Sequence, residues 1–384
     1  MNLYEQFQSV FNRSPVIHSK APGRVNLIGE HTDYNDGFVM PIAIQYAVNI
    51  IAAPRDDFKM HVYSADFKSE SSFEVDREIL FDKKNTWSNY QRGVADQMVR
   101  KGHTLKGADL LVQGDVPIGA GLSSSAAVEM AAAVTYKMLN NLDISVVEMI
   151  QLSQAAENQF VGMNCGIMDQ FVSGMGHKSM ALFLDCRSLN YELVPFPSDT
   201  YSVLIMNTRI KRDLTGSEYN ERRGQCEAGV QLLKEKKPGI KALRDVSVAD
   251  FETYQDSLPD DIRKRCRHVV YENERVQRFA DALKTKHSDR LGKLLLQSHE
   301  SLRDLYEVSC PELDLMVTLS MEVKGVIGAR MTGAGFGGCA IAMVEKGHET
   351  AVKEKILKEY PEKTNIEPEI YLSVPSEGAS VTVL

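Results

Sequence analysis

Residues 114–128 read GDVPIGAGLSSSAAV, and the reading of the whole chain turns on this stretch. It follows an apolar run (Leu110, Leu111, Val112) and leads into an alanine-rich one (Ala126, Ala127, Ala131, Ala132, Ala133). A strand, a tight loop and a helix are therefore expected in that order. Gly119 and Gly121 let the backbone turn sharply and approach a ligand closely. Ser123, Ser124 and Ser125 fall at the start of the helix, where hydroxyls suit the caps. A helix N-terminus offers unpaired N–H groups and the positive end of its dipole, which together suit an anion such as phosphate. No Gly-x-x-x-x-Gly-Lys-Ser/Thr occurs in the chain, so this is not a Walker loop. A nucleotide here must be held by backbone donors, hydroxyls and a metal ion.

The chain has 384 residues, enough for two domains with large cores. Its composition, 43% hydrophobic and 25% charged, is that of a globular protein in water. A net charge of −8 argues against a nucleic-acid partner. It does not exclude ATP, because a nest of N–H groups and Mg²⁺ neutralises phosphates locally. The six cysteines are scattered, with no zinc-like spacing. The start, MNLYEQFQSVF, has no basic flank and no apolar core of a secretory signal. With no membrane-length apolar run, a cytoplasmic protein with reduced thiols is expected.

Upstream, Leu3, Phe7, Val10 and Phe11 have helical spacing. In the region from His18 to Ile44, Val25, Leu27, Phe38, Met40, Ile42 and Ile44 alternate as strand residues do. Between the strands lies GEHTDYNDG, which sets Glu30, His31 and Asp33 close behind Arg24. Ionised carboxylates only accept hydrogen bonds, so this loop suits a donor-rich ligand such as a polyol or sugar. Trp87, Tyr90, Val94 and Met98 predict an amphipathic helix, with Trp87 as a core or cofactor-facing aromatic.

Downstream, Ala127, Met130, Ala131, Val134 and Met138 share one helical face. Ser145 and Glu148 form a capping-box pattern for a helix that carries Glu157 and runs to about Phe160. GMNCGIMDQFVSGMG then sets Asp169 among apolar neighbours, as either an N-cap or a working carboxylate. Strands are expected around residues 57–63, 72–75, 180–184 and 191–195, and YSVLIMN (Tyr201–Asn207) opens a second domain. That domain continues with helices and the basic run Arg263–Arg267, read as a solvated helix face. Near the end, Gly333, Gly335 and Gly338 match Gly-x-Gly-x-x-Gly formally. A dinucleotide fingerprint must open a helix, whereas CAIAMV reads as a strand, so the Rossmann reading is rejected.

Three stretches together carry a resemblance: APGRVNLIGEHTDYNDG (Ala21–Gly37), PIGAGLSSSAA (Pro117–Ala127) and TGAGFGGCAI (Thr332–Ile341). They are similar to the three motifs of the GHMP small-molecule kinases, the first in its galactokinase version. CGIMDQF (Cys165–Phe171) and SEYNERRGQC (Ser217–Cys226) resemble galactokinase segments too. The resemblance implies an α+β, two-domain fold with the active site in the cleft between domains. The first (1–198) would be mixed α/β and ribosomal-S5-like, and the second (199–384) ferredoxin-like.

Position by position, the resemblance implies Asp169 and Arg24 as the catalytic pair beside the sugar C1 hydroxyl. Glu30, His31, Asp33, Gly166 and Tyr219 correspond to sugar contacts. Pro117, Gly119, Gly121, Leu122, Ser123, Ser124 and Ser125 correspond to the phosphate loop, and Trp87 to an adenine-side aromatic. Ser125 and Glu157 match the family's metal-binding pair. Arg212 departs from the pattern, standing where many relatives have His. The function implied is transfer of the ATP γ-phosphoryl group to the C1 hydroxyl of galactose, with Mg²⁺, by a monomer. A kinase for N-acetylgalactosamine or another sugar and a catalytically inactive galactose sensor are the alternatives. Such sensors have a damaged phosphate loop, whereas GLSSSAA is complete here.

Overall fold

The computed structural model describes residues 2–117, 119–210 and 215–384, so Ile118 and Arg212 lie outside the described residues. The first strands are β1 (Ile17–Asn26), β2 (Phe38–Val39), β3 (Pro41–Pro54), β4 (Lys59–Ser64), β5 (Ser69–Glu74) and β6 (Ala108–Gly114). They are followed by β7 (Met180–Asp185), β8 (Tyr191–Pro195), β9 (Tyr201–Asn207), β10 (Val326–Thr332), β11 (Cys339–Glu345), β12 (Glu369–Ser373) and β13 (Ser380–Val383). The helices of the first half are α1 (Leu3–Phe11), α2 (Asn89–Arg100), α3 (Ser124–Asn140), α4 (Val146–Ala155) and α5 (Met168–Met175). The second half has α6 (Thr215–Lys236), α7 (Val248–Tyr254), α8 (Asp260–Lys284), α9 (Ser288–Ser301), α10 (Pro311–Met321) and α11 (Glu349–Thr364).

The large sheet has the order β13-β1-β3-β6-β4-β5, with β4 parallel to β6 and the other pairs antiparallel. At its centre both faces are covered, because alternate residues of a strand point to opposite sides and here both sets are apolar. Ile50, Ala52 and Leu110 point into the main core, while Ile51, Ala53 and Leu111 pack under Phe7 of α1. Helix α3 lies on the main-core side and is buried on nearly every side, not on one stripe. Only its end is open, where Met138 is exposed. Its alanines let neighbouring elements approach closely.

The second sheet, β10-β11-β9-β12, is antiparallel throughout. In chain order it is β-α-β-β-α-β, the ferredoxin-like arrangement. This sheet is sandwiched: Val203, Ile205, Ile341 and Met343 join the main core, and Leu204, Met206, Ala340, Ala342 and Val344 face a second core. The Gly-rich segment 333–338 links two antiparallel strands, in agreement with the rejection of a dinucleotide loop. The chain ends by crossing back, since β13 pairs with β1 (Lys20 opposite Ser380).

Three local expectations are corrected. Trp87 sits in a 3₁₀ turn before α2 and not within it. The helix carrying Glu157 changes at residue 156 into a π-helical turn, Ala156–Val161. The basic run is not a uniform solvated face. Arg265 is buried, donating to the Leu305 carbonyl and pairing with Glu307, because the helix turns that residue toward α6 and the turn after α9.

Candidate active site

Strand β1 delivers Arg24 to the phosphate-loop stretch through an irregularity. The β1–β3 register shifts between Pro22 and Arg24. The Arg24 N–H then donates to the Leu122 carbonyl at 3.0 Å. A Cβ at Gly23 would lie 2.5 Å from that carbonyl oxygen, so only glycine permits the approach. The buried guanidinium divides its donors. Nε and Nη2 reach Asp169 Oδ1 and Oδ2 at 2.7 and 2.6 Å, and Nη1 reaches the Gly121 carbonyl at 2.7 Å. Such a bidentate fork fixes both partners in orientation. Burial alone would lower the Arg24 pKa, but the charges of Asp169 and Glu30 outweigh it and raise it. Asp169 stands in the first turn of α5 behind Ile167 at the N-cap, so it is not itself a cap.

The phosphate-loop stretch turns through Gly119 (φ 76°) and Gly121 (φ 75°), both in the left-handed region. Ser123 also lies there (φ 60°), although it is not glycine. Its hydroxyl does not cap α3 as expected. It donates to Asp169 Oδ2 at 2.5 Å, and no side chain caps the helix. The N-terminus of α3 is thus left without a side-chain acceptor, as an anion site requires. The Leu122 side chain is buried, so only its backbone serves this region. Pro117 and Ser124 are half-buried flanking residues.

A cavity of about 210 Å³ opens beside Asp169. Arg24, Glu30, His31, Asp33, Glu157, Gly166, Asp169 and Tyr219 all line it, so the structure brings together eight residues singled out from the sequence. Tyr219, Gly333 and Ala334 come from the second half of the chain, which places the cavity between the two domains. Glu30 is nearly saturated. Its Oε1 accepts from Thr332 Oγ1 (2.8 Å), the Gly333 N–H (2.8 Å) and Arg330 Nη1 (3.3 Å), and its Oε2 from Asn26 Nδ2 (3.1 Å).

His31 is buried, and burial pushes its imidazole down to about 3. Nε2 faces the Ala334 carbonyl at 3.2 Å, an acceptor only, so Nε2 carries the proton. Nδ1 then accepts from the Tyr34 hydroxyl at 2.8 Å. It follows that Tyr306 donates to Tyr34 (2.7 Å) and that the Cys226 thiol donates to Tyr306 (3.2 Å). This chain of bonds runs from one domain into the other.

Asp33 has no such saturation. Burial, with the Asp169 charge next, pushes its carboxyl up to about 7. A Cβ at Gly166 would fall on the Asp33 carboxylate, so residue 166 must be glycine for the pair to fit. The Tyr219 ring packs 5.7 Å from His31 and 5.2 Å from Tyr34, centroid to centroid.

On the other side lies a buried acidic group. Glu157, on the π-helical turn, is hydrogen-bonded by the Ser125 hydroxyl and by Gln170 Nε2 at 2.6 Å. Burial, and next the Asp169 charge, push its carboxyl up. Glu129, fully buried, is pushed well up by burial and by Glu157. Glu157 and Glu129 accept from neutral donors, Ser125 and Gln170, a set that a divalent cation would complete. The carboxylate and hydroxyl ligand atoms are all oxygens, which suits Mg²⁺. Among the described residues no group of three or more His, Cys, Asp or Glu could hold a metal alone. That fits an ion shared between one or two protein oxygens, phosphates and waters.

Trp87 does not line the cavity; it stacks on the exposed Phe67, with centroids 6.2 Å apart and planes 19° apart. The sequence reading missed Glu129, Gln170 and Tyr34. A signal existed for two of them, since Glu129 is one turn beyond Ser125 and Gln170 follows Asp169.

Comparison with known proteins agrees along the whole chain. Residues 5–54 match the galactokinase galactose-binding signature, 89–177 the GHMP kinases N terminal domain and 279–362 the GHMP kinases C terminal domain. A galactokinase of Roseiflexus sp. is 45% identical over 376 residues, 98% of this chain and 95% of that protein. The crystal structure of Lactococcus lactis galactokinase complexed with galactose superposes with a TM-score of 0.94 at 37% identity, covering 98% of both chains. Methanococcus jannaschii mevalonate kinase, at 18% identity and TM-score 0.68 over 95% of this chain and 99% of its own, shares the fold.

Proposed function

The chain belongs to the galactokinase family of GHMP kinases, and from that premise we propose that it transfers the γ-phosphoryl group of ATP to the C1 hydroxyl of α-D-galactose. The products are galactose 1-phosphate and ADP. The observation that carries the reading is the Arg24 fork. One guanidinium bonds Asp169 at the cavity wall and Gly121 in the Gly-Ser loop, joining the sugar side to the phosphate side.

Phosphoryl transfer needs positioning and charge neutralisation more than covalent chemistry. In this reading the Gly119–Ser125 turn and the uncapped α3 hold the triphosphate. Asp33 accepts hydrogen bonds from the sugar C3 and C4 hydroxyls, with Tyr219 beside C4. Glu30 and His31 set the loop, and the Gly166 backbone forms the facing wall. Asp169 orients the C1 hydroxyl and accepts its proton as that oxygen attacks phosphorus. Arg24 and the Ser123 hydroxyl hold the carboxylate in place for this. Ser125 and Glu157 would hold Mg²⁺, which would supply charge neutralisation for the triphosphate. Trp87 is assigned to the adenine side together with its stacked neighbour Phe67.

We place the division between domains at residues 198 and 199, where β9 enters the second sheet, with β13 returning to the first. The protein is read as a cytoplasmic monomer. No described helix is long and apolar enough to cross a membrane.

A coupled ADP-release assay with galactose, glucose and N-acetylgalactosamine tests the reading, with ³¹P NMR to identify the phosphorylated carbon. Galactose 1-phosphate is the expected product. Preference for N-acetylgalactosamine would reassign the substrate. Galactose binding without ADP release would make the protein a sensor.

A further inference from the structure

Glu129 has no part in the reaction described above, yet it is a fully buried carboxyl group beside the nucleotide side of the site. It stands four residues after Ser125 on α3, so both side chains leave the same face of the helix. Its Oε2 accepts from Gln170 Nε2 at 3.0 Å, and the same nitrogen donates to Glu157 Oε2 at 2.6 Å. Both protons of one amide are thus committed to two carboxyl groups on two different segments. Glu129 Oε1 and Gln170 Oε1 are buried with no hydrogen-bond partner. A buried acceptor left unpaired costs stability, and an apolar residue of similar volume would avoid that cost. The group is therefore poorly explained as packing.

We propose that Glu129 is a positioning residue for Glu157, acting through the Gln170 amide. The inference rests on the reading of Ser125 and Glu157 as the cation's protein ligands. Glu157 sits on a π-helical turn, a local irregularity often found at functional sites, and its side chain is aimed by the groups that bond it. Gln170 Nε2 and the Cys165 thiol (3.3 Å) both donate to Oε2 and aim it, which leaves the rest of the carboxylate to face the cation. Without Glu129, the Gln170 amide keeps only Glu157 and a long contact to Cys165 Sγ (3.8 Å), so its orientation toward Glu157 is less constrained. Outer-shell partners of metal ligands set affinity in this way, and losing one costs about 10–100-fold.

The test uses the full chain and Mn²⁺ with ADP as the probe, with free Mn²⁺ read by EPR, so that turnover is not needed. Glu129→Leu keeps the volume and removes the acceptor; Glu129→Gln keeps an oxygen able to accept from Gln170. Glu129→Leu is expected to weaken Mn²⁺·ADP binding about 10–100-fold while the galactose Kd without nucleotide changes less than about twofold. Glu129→Gln should restore most of the lost affinity. Should Glu129→Leu fail to fold, Gln170→Leu breaks the same link from its other end and must show the same selective loss.

The proposal is overturned if the leucine variant binds Mn²⁺·ADP like the wild type. It is equally overturned if both Glu129 variants weaken alike, or if galactose binding falls in parallel. Failure of the wild type to phosphorylate any sugar, with the Mn²⁺ pattern intact, would overturn the functional reading and leave this one standing.

Discussion

Galactose binding should be coupled to the protonation of Asp33. Its carboxyl is held up to about 7, first by burial and then by the Asp169 charge, with Glu30 adding to the effect and Arg24 opposing it. His31 contributes no charge near neutral pH, because burial keeps its imidazole down to about 3. A carboxylate that accepts hydrogen bonds from sugar hydroxyls must be ionised, so the proton has to leave when galactose binds. At pH 6 about nine in ten free sites carry that proton; at pH 8 about one in ten does. Affinity should therefore rise with pH, by about tenfold between pH 6 and pH 8, and level off above. Titration calorimetry of galactose without nucleotide, at three pH values and in buffers of different ionisation enthalpy, measures both the affinity and the proton released. Close to one proton should be released per sugar at pH 6 and almost none at pH 8. Asp33→Asn should bind more weakly and lose the slope. A flat pH profile in the wild type, or the same slope in the variant, would refute the assignment of Asp33 as an ionised acceptor for the sugar.

Asp169→Asn is expected to lower kcat by at least ~10²-fold. Its thermal midpoint should move little, because losing the Arg24 pair is offset by relief of repulsion on Asp33, Glu157 and Glu129; near-wild-type turnover in a folded variant would exclude an essential role. Removing the Asp169 charge should also move the pH profile of galactose binding to lower pH, since that charge helps hold the Asp33 carboxyl up. Gly166→Ala puts a methyl group onto the Asp33 carboxylate, so calorimetry should find galactose binding lost while Mn²⁺·ADP binding persists. NMR of the His31 ring should show a neutral imidazole with its proton on Nε2 and no titration between pH 5 and pH 8. Galactose should be preferred to glucose through Asp33, because a sugar that fails to supply an expected donor leaves a buried acceptor unpaired, at roughly 1–3 kcal/mol or more. Comparing kcat/KM for both sugars in the wild type and Asp33→Ala checks this, and an unchanged ratio would remove Asp33 from the C4 side.

What the sequence alone determined is local in its physics. Gly119 and Gly121 permit a positive φ without steric cost, and both adopt it. Apolar-rich segments form strands, and β1, β3 and β9 did, although β9 is buried on both faces and not on one. The order of elements in the second half is already β-α-β-β-α-β before any packing is known. The placement of Glu30, His31 and Asp33 within four positions made that loop polar and crowded in any fold. What the tertiary structure decided depends on groups distant in sequence. Arg24 meets Asp169 across 145 positions, and Glu30 meets Thr332 across 302. No periodicity encodes such a meeting, because it arises from how whole sheets and helices pack. The same holds for properties set by removal of water. Arg265 reads as one cation in a solvated run and Ser123 as a helix cap. Each became something else because the neighbouring chain excluded solvent and offered a better partner. The raised pKa of Asp33 belongs to this class too, since desolvation is a property of the folded cavity and not of the residues in line.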